Sequence, residues 1–243
     1  MSSNIKTEGI VLHSFKYGET SIISRIYTKE LGLQSYLVAG VRKRKTTFKY
    51  NLFQPLSMLE MVVYHKENKG LQRIKEISSI KQYNNIHSDI RKTTIAIFIS
   101  EVLVNCLKEE ESNLNLYDFL KQSLFFLDDL KEKVADFHLL FLLQLTRYLG
   151  FYPNLGQDMA GSAFNLKEGV YQQFDKDSPY FLDRHFSDYF SMLSKMDYQD
   201  LFSFSMPSQL RKPLLEKIID YYKLHMEGFR DIKSLVVLEN VFN

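Results

Sequence analysis

The clearest chemistry in this chain belongs to a run of four consecutive cations: Arg42, Lys43, Arg44 and Lys45. We call these residues the cation run. The run follows a strand-like segment, Leu33 to Ala39, and a glycine, Gly40. Positive side chains at this density attract a polyanion. A Lys/Arg run in a loop can also be only a solubilising surface or part of an address signal, so the run needs further support.

The charge of the whole chain supports the polyanion hypothesis. Residues 1–85 carry 14 Lys and Arg against 6 Asp and Glu, whereas residues 86–243 carry 17 against 23. The formal net charges of +8 and −6 are hidden in the whole-chain value of +2. This asymmetry predicts that the first part binds a polyanion, with nucleic acid the leading candidate, and that the second part meets protein partners.

Other residues could extend the basic surface. Arg25 and Lys49 could lengthen the stripe of positive charge, and three aromatic residues interleave with it: Tyr36, Phe48 and Tyr50. On a small barrel, cations that follow phosphates and rings that accept bases are how oligonucleotide-binding folds hold single strands. We therefore expect Arg25 and Lys49 to be weaker members of a nucleic-acid site.

The elements that must position this site are short strands. Five segments are rich in Ile, Val, Leu and Tyr and are separated by turn signals: Gly9 to Phe15, Ser21 to Thr28, Leu33 to Ala39, Leu56 to His65 and Leu71 to Ile80. Five short strands in about 80 residues predict a small closed barrel or a sandwich. We assign this first domain to residues 1–82.

The apolar period changes to three and four residues after Ile86, which predicts a helical domain over residues 83–243. Helices are expected near 90–107 and at four further segments: Leu114 to Leu130, Val134 to Leu149, Pro207 to Met226 and Ile232 to Glu239. The pattern lapses between Tyr152 and Asp183, where Gly and Pro punctuate short aromatic pieces at 163–166 and 170–174. We interpret this stretch as a hairpin-like insertion, so the fold class is α+β with two domains.

The sequence offers no signature of catalysis. The common phosphate-loop, metalloprotease and serine-hydrolase motifs are absent, and the six histidines are scattered without ligand spacing. The single cysteine, Cys106, lies in an apolar stretch, which fits a reducing cytoplasm. The first residues contain no apolar leader, and the longest apolar stretch, Phe137 to Leu145, is too short to span a membrane. We expect a protein that is not an enzyme and needs no cofactor.

The order of several short segments resembles the RecO family of bacterial recombination mediators. The segments are Thr7 to Leu12 with Tyr17-Gly18-Glu19, Tyr27 to Gly32, Val38 to Lys43, Leu52 to Leu56, Leu149 to Leu155, Leu224 to Gly228 and Ile232 to Leu235. Together they span nearly the whole chain. Each motif is short and degenerate, and their order carries the resemblance.

The resemblance implies an N-terminal OB-fold barrel, a helical domain, and binding of single- and double-stranded DNA. It also implies strand annealing, a RecR partner, contact with the C-terminal tail of the single-strand-binding protein, and help in loading RecA. The DNA-facing residues would be the cation run, with Arg25 and Lys49. The pocket for the acidic tail would lie in the helical domain, where Arg147 is a candidate cation. Helix packing or a local ion pair explains Arg147 equally well.

One departure from the family concerns zinc. Many members carry four cysteines directly after the turn that corresponds to Leu149 to Pro153, whereas residues 156–164 contain none. A thiolate zinc site cannot form there, and we expect no bound metal. Aromatic and apolar side chains would hold the insertion instead: Phe164, Val170, Tyr171, Phe174, Tyr180 and Phe181.

Two other hypotheses remain at this point. A protein-interaction scaffold would use the acidic helical domain and carry the cation run only as a surface. A hydrolase or nuclease would need clustered carboxylates that the sequence does not reveal.

The cation run gives a first prediction. If each of its four side chains neutralises one phosphate, the cation run contributes about −3 to the slope of the log binding constant for single strands against log salt concentration. Replacing all four residues by Ala is expected to flatten most of the slope in a salt-titrated oligonucleotide binding curve. A variant with the wild-type affinity and slope would show that the binding surface lies elsewhere.

Overall fold

The computed structural model describes residues 3–41, 48–67, 69–108, 111–156 and 162–242. The chain divides into two compact units, Met1–Asp129 and Leu130–Asn243. The predicted division after residue 82 follows the change from strands to helices, whereas this division follows compactness. The predicted boundary therefore stays a prediction.

The first unit begins with a closed barrel of five strands. They are β1 (Ser3–Tyr17), β2 (Ser21–Thr28), β3 (Gly32–Val38), β4 (Met58–His65) and β5 (Gln72–Ser79). The strand order is β1-β2-β3-β5-β4, and β1 pairs with β4 to close the barrel. All pairs are antiparallel except β3 with β5. A five-stranded Greek-key barrel of this kind is an OB-fold, so the predicted fold class is confirmed.

The long strand β1 changes its facing partway along. The pairing with β2 shifts between Val11 and His13, which marks a β-bulge. Before the bulge, Val11 faces the barrel core, and after it His13 faces outward opposite Arg25. Gly9 lets this strand pass close to its neighbours, because an added Cβ would lie 2.6 Å from Ile26 Cγ2. The bulge therefore lets β1 serve both the core and the outer surface.

Two helices belong to the same unit, α1 (Ile90–Cys106) and α2 (Leu114–Asp129). Ser100 of α1 donates a hydrogen bond to the carbonyl of Leu12 in β1. Lys121 of α2 donates to the Glu8 carboxylate of β1 at 2.8 Å. Both helices thus cover the part of β1 that precedes the bulge, and they leave its later residues exposed.

A buried carboxylate, Asp128, fastens the segment between the barrel and α1. It is fully buried and accepts backbone N–H bonds from Asn84 at 3.1 Å, Asn85 at 2.8 Å and Ile86 at 3.0 Å. Burial alone would raise the pKa of Asp128, but these hydrogen bonds and the nearby Lys81 ammonium outweigh burial and hold the pKa below its usual value. The carboxylate is therefore charged and satisfied at neutral pH.

The second unit contains four helices and a hairpin among its described residues. They are α3 (Val134–Leu149), β6 (Ser162–Asn165), β7 (Val170–Gln173), α4 (Arg184–Lys195), α5 (Ser208–His225) and α6 (Leu235–Phe242). The predicted helix at 134–149 and the hairpin-like insertion are confirmed. Helix α4 was not expected, because its buried apolar residues are only Phe190 and Leu193. The Asp183 carboxylate, which accepts the Phe186 N–H at 3.0 Å, begins it.

Aromatic packing fixes the hairpin. Phe164 of β6 is fully buried, with its ring 4.6 Å from Phe190 and 5.9 Å from Tyr221. The Tyr171 ring lies 5.5 Å from the Phe164 ring. Phe174 is 49% exposed, and its ring packs edge-on against Phe181 at 5.6 Å. Phe164 is therefore the centre of the set that the sequence predicted.

A helix that spans a membrane must be both long and predominantly apolar. None of the helices in the described part of the chain combines the two properties.

Asp128 gives a prediction of stability. Asp128→Ala is expected to lower the free energy of unfolding by about 3 kcal/mol, because the buried N–H of Ile86 and the part-buried N–H groups of Asn84 and Asn85 lose their charged acceptor. Urea unfolding at pH 7 measures this value. Since the folded pKa is lowered, the contribution of Asp128 is full above its unfolded value of about 4 and is lost as the pH falls through the folded pKa.

The neighbouring carboxylate provides the control. Asp129 is 70% exposed and lies 3.8 Å from the Lys81 ammonium, so Asp129→Ala is expected to change stability by less than about 0.5 kcal/mol. Equal effects of the two replacements would show that Asp128 does not fasten this segment.

Candidate nucleic-acid interface

The cation run, Arg42, Lys43, Arg44 and Lys45, lies outside the described residues. The described residues on either side of the gap are Val41, which is buried in the barrel core, and Phe48, which packs against that core. The described residues on both sides of this gap therefore belong to the barrel.

The structure places Arg25 and Lys49 in different surroundings. Arg25 is half-buried on the outer face of β2, opposite His13 of β1 and Ser35 of β3. Lys49 is exposed at the start of a short 3-10 helix, Tyr50–Phe53, and lines a separate pocket. The two residues are not neighbours on one strand face, as a single stripe would require.

Side chains from all five strands form one row across the outside of the barrel. In spatial order they are Phe15, Ile23, Leu37, Arg73 and Tyr64, and each is the Cα partner of the next. We call this set the outer row. The residues at its two ends are aromatic and exposed, Phe15 at 44% and Tyr64 at 41%. The row therefore presents two rings and a guanidinium on one continuous surface.

Strand alternation explains why these side chains face outward. Their chain neighbours Ser24, Tyr36 and Gln72 are buried inside the barrel. The sequence names Tyr36 among the aromatics near the cation run without fixing the face on which it lies, and the structure shows that its ring is not on the outer surface. Its side chain is fully buried among the core residues, and burial raises the pKa of its hydroxyl.

A second set of side chains lies beside the outer row. His13 stacks on Phe15, with ring centroids 5.9 Å apart and planes at 29°. His13 is also the Cα partner of Arg25, and Arg25 lies on β2 two positions after Ile23 of the outer row. The outer row is thus flanked by Arg25, and its ring at Phe15 is extended by an imidazole.

The turn between β4 and β5 adds two more cations. Gln72, which is buried, accepts a hydrogen bond from the Lys66 N–H at 3.0 Å and donates to the carbonyls of Lys66 at 2.9 Å and Lys69 at 2.6 Å. An open cleft of about 580 Å³ lies here, between Tyr64 and Arg73 of the outer row and these two lysines. Gln72 thus fixes the turn whose cations border the row.

Two cations on the barrel strands form salt bridges with carboxylates. Lys6 pairs with Glu60 at 2.7 Å, and Lys75 pairs with Glu76 at 3.6 Å. Another group forms no salt bridge with any residue that the structure describes: Arg25, Lys49, Lys66, Lys69 and Arg73. Arg73 belongs to the outer row, and Arg25, Lys66 and Lys69 border it, so the positive charge of this surface is free to meet phosphates.

Sequence reasoning missed most of this surface. It identified Arg25 but not Phe15, Tyr64, Lys66 or Arg73. Two sequence signals could have pointed to these residues: the turn residues at 67–70, between β4 and β5, and the alternation of side chains along each strand. The row itself requires the register of five strands, which no local pattern supplies.

In the second unit, Arg147 has a structural role. Its guanidinium lies 4.3 Å from the centroid of the Tyr152 ring and donates to the Ser194 carbonyl at 3.1 Å. Tyr152 donates to the same carbonyl at 2.6 Å. These contacts satisfy the C-terminal end of α4, which agrees with the helix-packing interpretation of Arg147.

A metal cluster or a reactive thiol would be a second kind of functional site. No group of three or more His, Cys, Asp or Glu side chains that could hold a metal ion occurs among the described residues. Cys106 is buried, and burial raises the pKa of its thiol, so a reactive thiolate is disfavoured.

Comparison with known proteins covers nearly the whole chain. The family model described as Recombination protein O N terminal matches residues 1–83, and that described as Recombination protein O C terminal matches residues 87–235. Similar proteins include the DNA repair protein RecO of Christiangramia forsetii, 39% identical over 240 residues, which are 98% of this chain and 99% of the relative. RecO of Flavobacterium psychrophilum is 38% identical over 240 residues, and that of Bacteroides fragilis 37% over 239, with the same shares of each chain.

Proposed function

This chain belongs to the RecO family of recombination proteins, and we propose that it is a non-enzymatic DNA-binding mediator of recombinational repair. It binds single- and double-stranded DNA and promotes annealing of complementary strands. It acts in the cytoplasm, and it performs no covalent chemistry.

One observation carries this proposal: the outer row with its unpaired cations. Phe15 and Tyr64 offer ring faces on which bases stack, and Arg73 and Arg25 lie between and beside them to meet phosphates. The face formed by strands 2 and 3 and the turn between strands 4 and 5 are where OB-folds hold oligonucleotides. The surface of this barrel therefore has the groups and the location that single-strand binding requires.

Annealing follows from electrostatics and stacking alone. Two strands repel each other through their phosphates, and cations on one surface lower that repulsion. Bases that stack on rings keep their hydrogen-bonding edges accessible to a second strand. The protein thus raises the local concentration of pairable bases without a catalytic group.

The remaining residues support partner binding. Residues 86–243 carry a net charge of −6, which disfavours contact with DNA and leaves helical surfaces for proteins. We propose that these partners include a RecR-like protein and the C-terminal tail of the single-strand-binding protein, and that together they assist RecA loading.

Removal of the cations at the outer row tests the proposal. A variant with Ala at Arg25, Lys66, Lys69 and Arg73 is expected to lose about 3 from the magnitude of the salt slope on single strands, because four phosphate contacts are lost. Fluorescence anisotropy of a labelled oligonucleotide measures the slope. The same variant is expected to slow annealing of complementary oligonucleotides labelled for energy transfer.

Lys75→Ala is the matched control. Lys75 is also on β5, but it pairs with Glu76, so its loss is expected to leave the salt slope unchanged. If the four-residue variant keeps the wild-type slope, DNA binds elsewhere. If the wild-type protein neither binds single strands nor speeds their pairing, the protein is a scaffold and not a DNA-binding mediator.

The rings give a separate prediction. Phe15→Ala or Tyr64→Ala is expected to weaken binding of a dT oligonucleotide by about 1 to 3 kcal/mol without changing the salt slope, because stacking is lost but no charge is removed. Phe202, which is 54% exposed in the second unit, is the control, and Phe202→Ala is expected to have no effect. Equal losses from all three replacements would contradict a stacking role for the outer row.

A further inference from the structure

A polar pocket of about 350 Å³ lies at the end of the barrel away from the turn between β4 and β5. Its lining includes three exposed side-chain amides and two ammonium groups: Asn51, Gln54, Gln82, Lys49 and Lys81. No carboxylate is among the residues that line it. We call it the amide pocket, and the outer row does not reach it.

The amides of this pocket have unused hydrogen-bonding capacity. The side chains of Asn51, Gln54 and Gln82 form no hydrogen bond with any residue in the described ranges. Lys81 is shared with Asp128 and Asp129, each at 3.8 Å, whereas Lys49 forms no such pair there. The pocket thus combines three donor–acceptor amides with one available positive charge.

The walls behind these groups are rigid. The Tyr83 hydroxyl donates to the carbonyl of Leu56 at 3.0 Å, and His87 Nε2 is 3.0 Å from the carbonyl of Pro55. Leu56 has a φ of 62°, which is unusual for a residue with a branched side chain, and its N–H donates to Val11 at 2.7 Å. The turn that carries Gln54 is therefore held in place from both sides, and the pocket is preorganised.

We propose that the amide pocket binds one unstacked nucleotide. Side-chain amides carry a donor and an acceptor side by side, which is the arrangement that base edges match. Lys49 supplies the charge for the adjoining phosphate. An acidic peptide with apolar anchors would need an apolar groove, whereas this lining is dominated by amides, hydroxyls and ammonium groups.

The inference rests on the proposed DNA binding and extends it. Arg73 of the outer row and Ser79 of the amide pocket lie on the same strand, β5, about 20 Å apart at 3.3 Å per residue. A bound single strand would therefore contact the outer row with some of its nucleotides and insert another, several positions away, into the amide pocket.

An abasic scan of a bound oligonucleotide tests this proposal. A single abasic site is moved along a 5′-labelled dT oligonucleotide of about 12 residues that is fixed in register by a short duplex at one end, and anisotropy measures each affinity. In the wild-type protein, one position is expected to lose about tenfold on base removal because its hydrogen bonds disappear. In the double variant Asn51→Ala, Gln82→Ala, removal of the base at that position is expected to cause no further loss of affinity.

A matched variant separates the two surfaces. The double variant Phe15→Ala, Tyr64→Ala is expected to abolish the sensitivity of other positions and to retain that of the position assigned to the amide pocket. Asn51 and Gln82 are exposed, so their replacement is expected to leave the circular dichroism spectrum and the unfolding midpoint unchanged.

The outcomes distinguish the two proposals. If the wild-type protein binds the oligonucleotide but no position depends on Asn51 and Gln82, the amide pocket does not bind a base and the proposed function stands. If the wild-type protein does not bind at all, the proposed function itself fails, and this inference with it. Titration with free dAMP shows whether the ligand is a free nucleotide or a nucleotide within a strand. If dAMP binding saturates and depends on Asn51 and Gln82, but the scan shows no position-specific loss, the pocket binds a free nucleotide. That result would overturn insertion from a strand. An acidic hexapeptide that binds in the same variant-dependent way would overturn the nucleotide assignment.

Discussion

The outer row, which we propose as the nucleic-acid surface, depends on a short parallel pairing between β3 and β5. Only two residue pairs are formed, Tyr36 with Gln72 and Leu37 with Arg73. The first pair faces the core, where Gln72 also fixes the turn between β4 and β5. The second faces outward and joins the part of the outer row on β1 to β3 to the part on β4 and β5. Without this closure, Phe15 on the β1 to β3 side would be separated from Arg73 and Tyr64, which are paired with each other across β4 and β5. One register therefore determines both the core and the outer row.

The distribution of ion pairs separates structural charge from functional charge. Two acidic groups of the first unit that are buried or partly buried have partners: Glu8 pairs with Lys121, and Asp128 accepts from three backbone N–H groups. The cations near the outer row have no such partners in the described chain. Partnered charges hold helices against β1, because their hydrogen bonds offset the loss of hydration on burial. Unpartnered surface charges add little to stability and remain available to a polyanion.

Aromatic packing holds the hairpin of the second unit in place. Phe164 packs against Phe190 in a tilted geometry and against Tyr221 edge-on, and these contacts bury the centre of the hairpin. Tyr221 also donates to the Phe151 carbonyl at 2.7 Å, which ties the turn before the hairpin to α5. Aromatic burial provides several kcal/mol per ring, so packing of this kind can hold a short hairpin without a metal.

The sequence by itself determined the order and type of most elements, the change from strands to helices, and the family. These features follow from local signals: alternation in β2, the three- and four-residue period of α3, and turn residues such as Gly32 with its φ of 60°. Tertiary structure decided which residues share a surface. The sequence left the face of Tyr36 open and the structure places it in the core, whereas Phe15, Arg73 and Tyr64 meet only through strand register. Register is set by non-local hydrogen bonds and by the bulge after Val11, which local patterns do not encode.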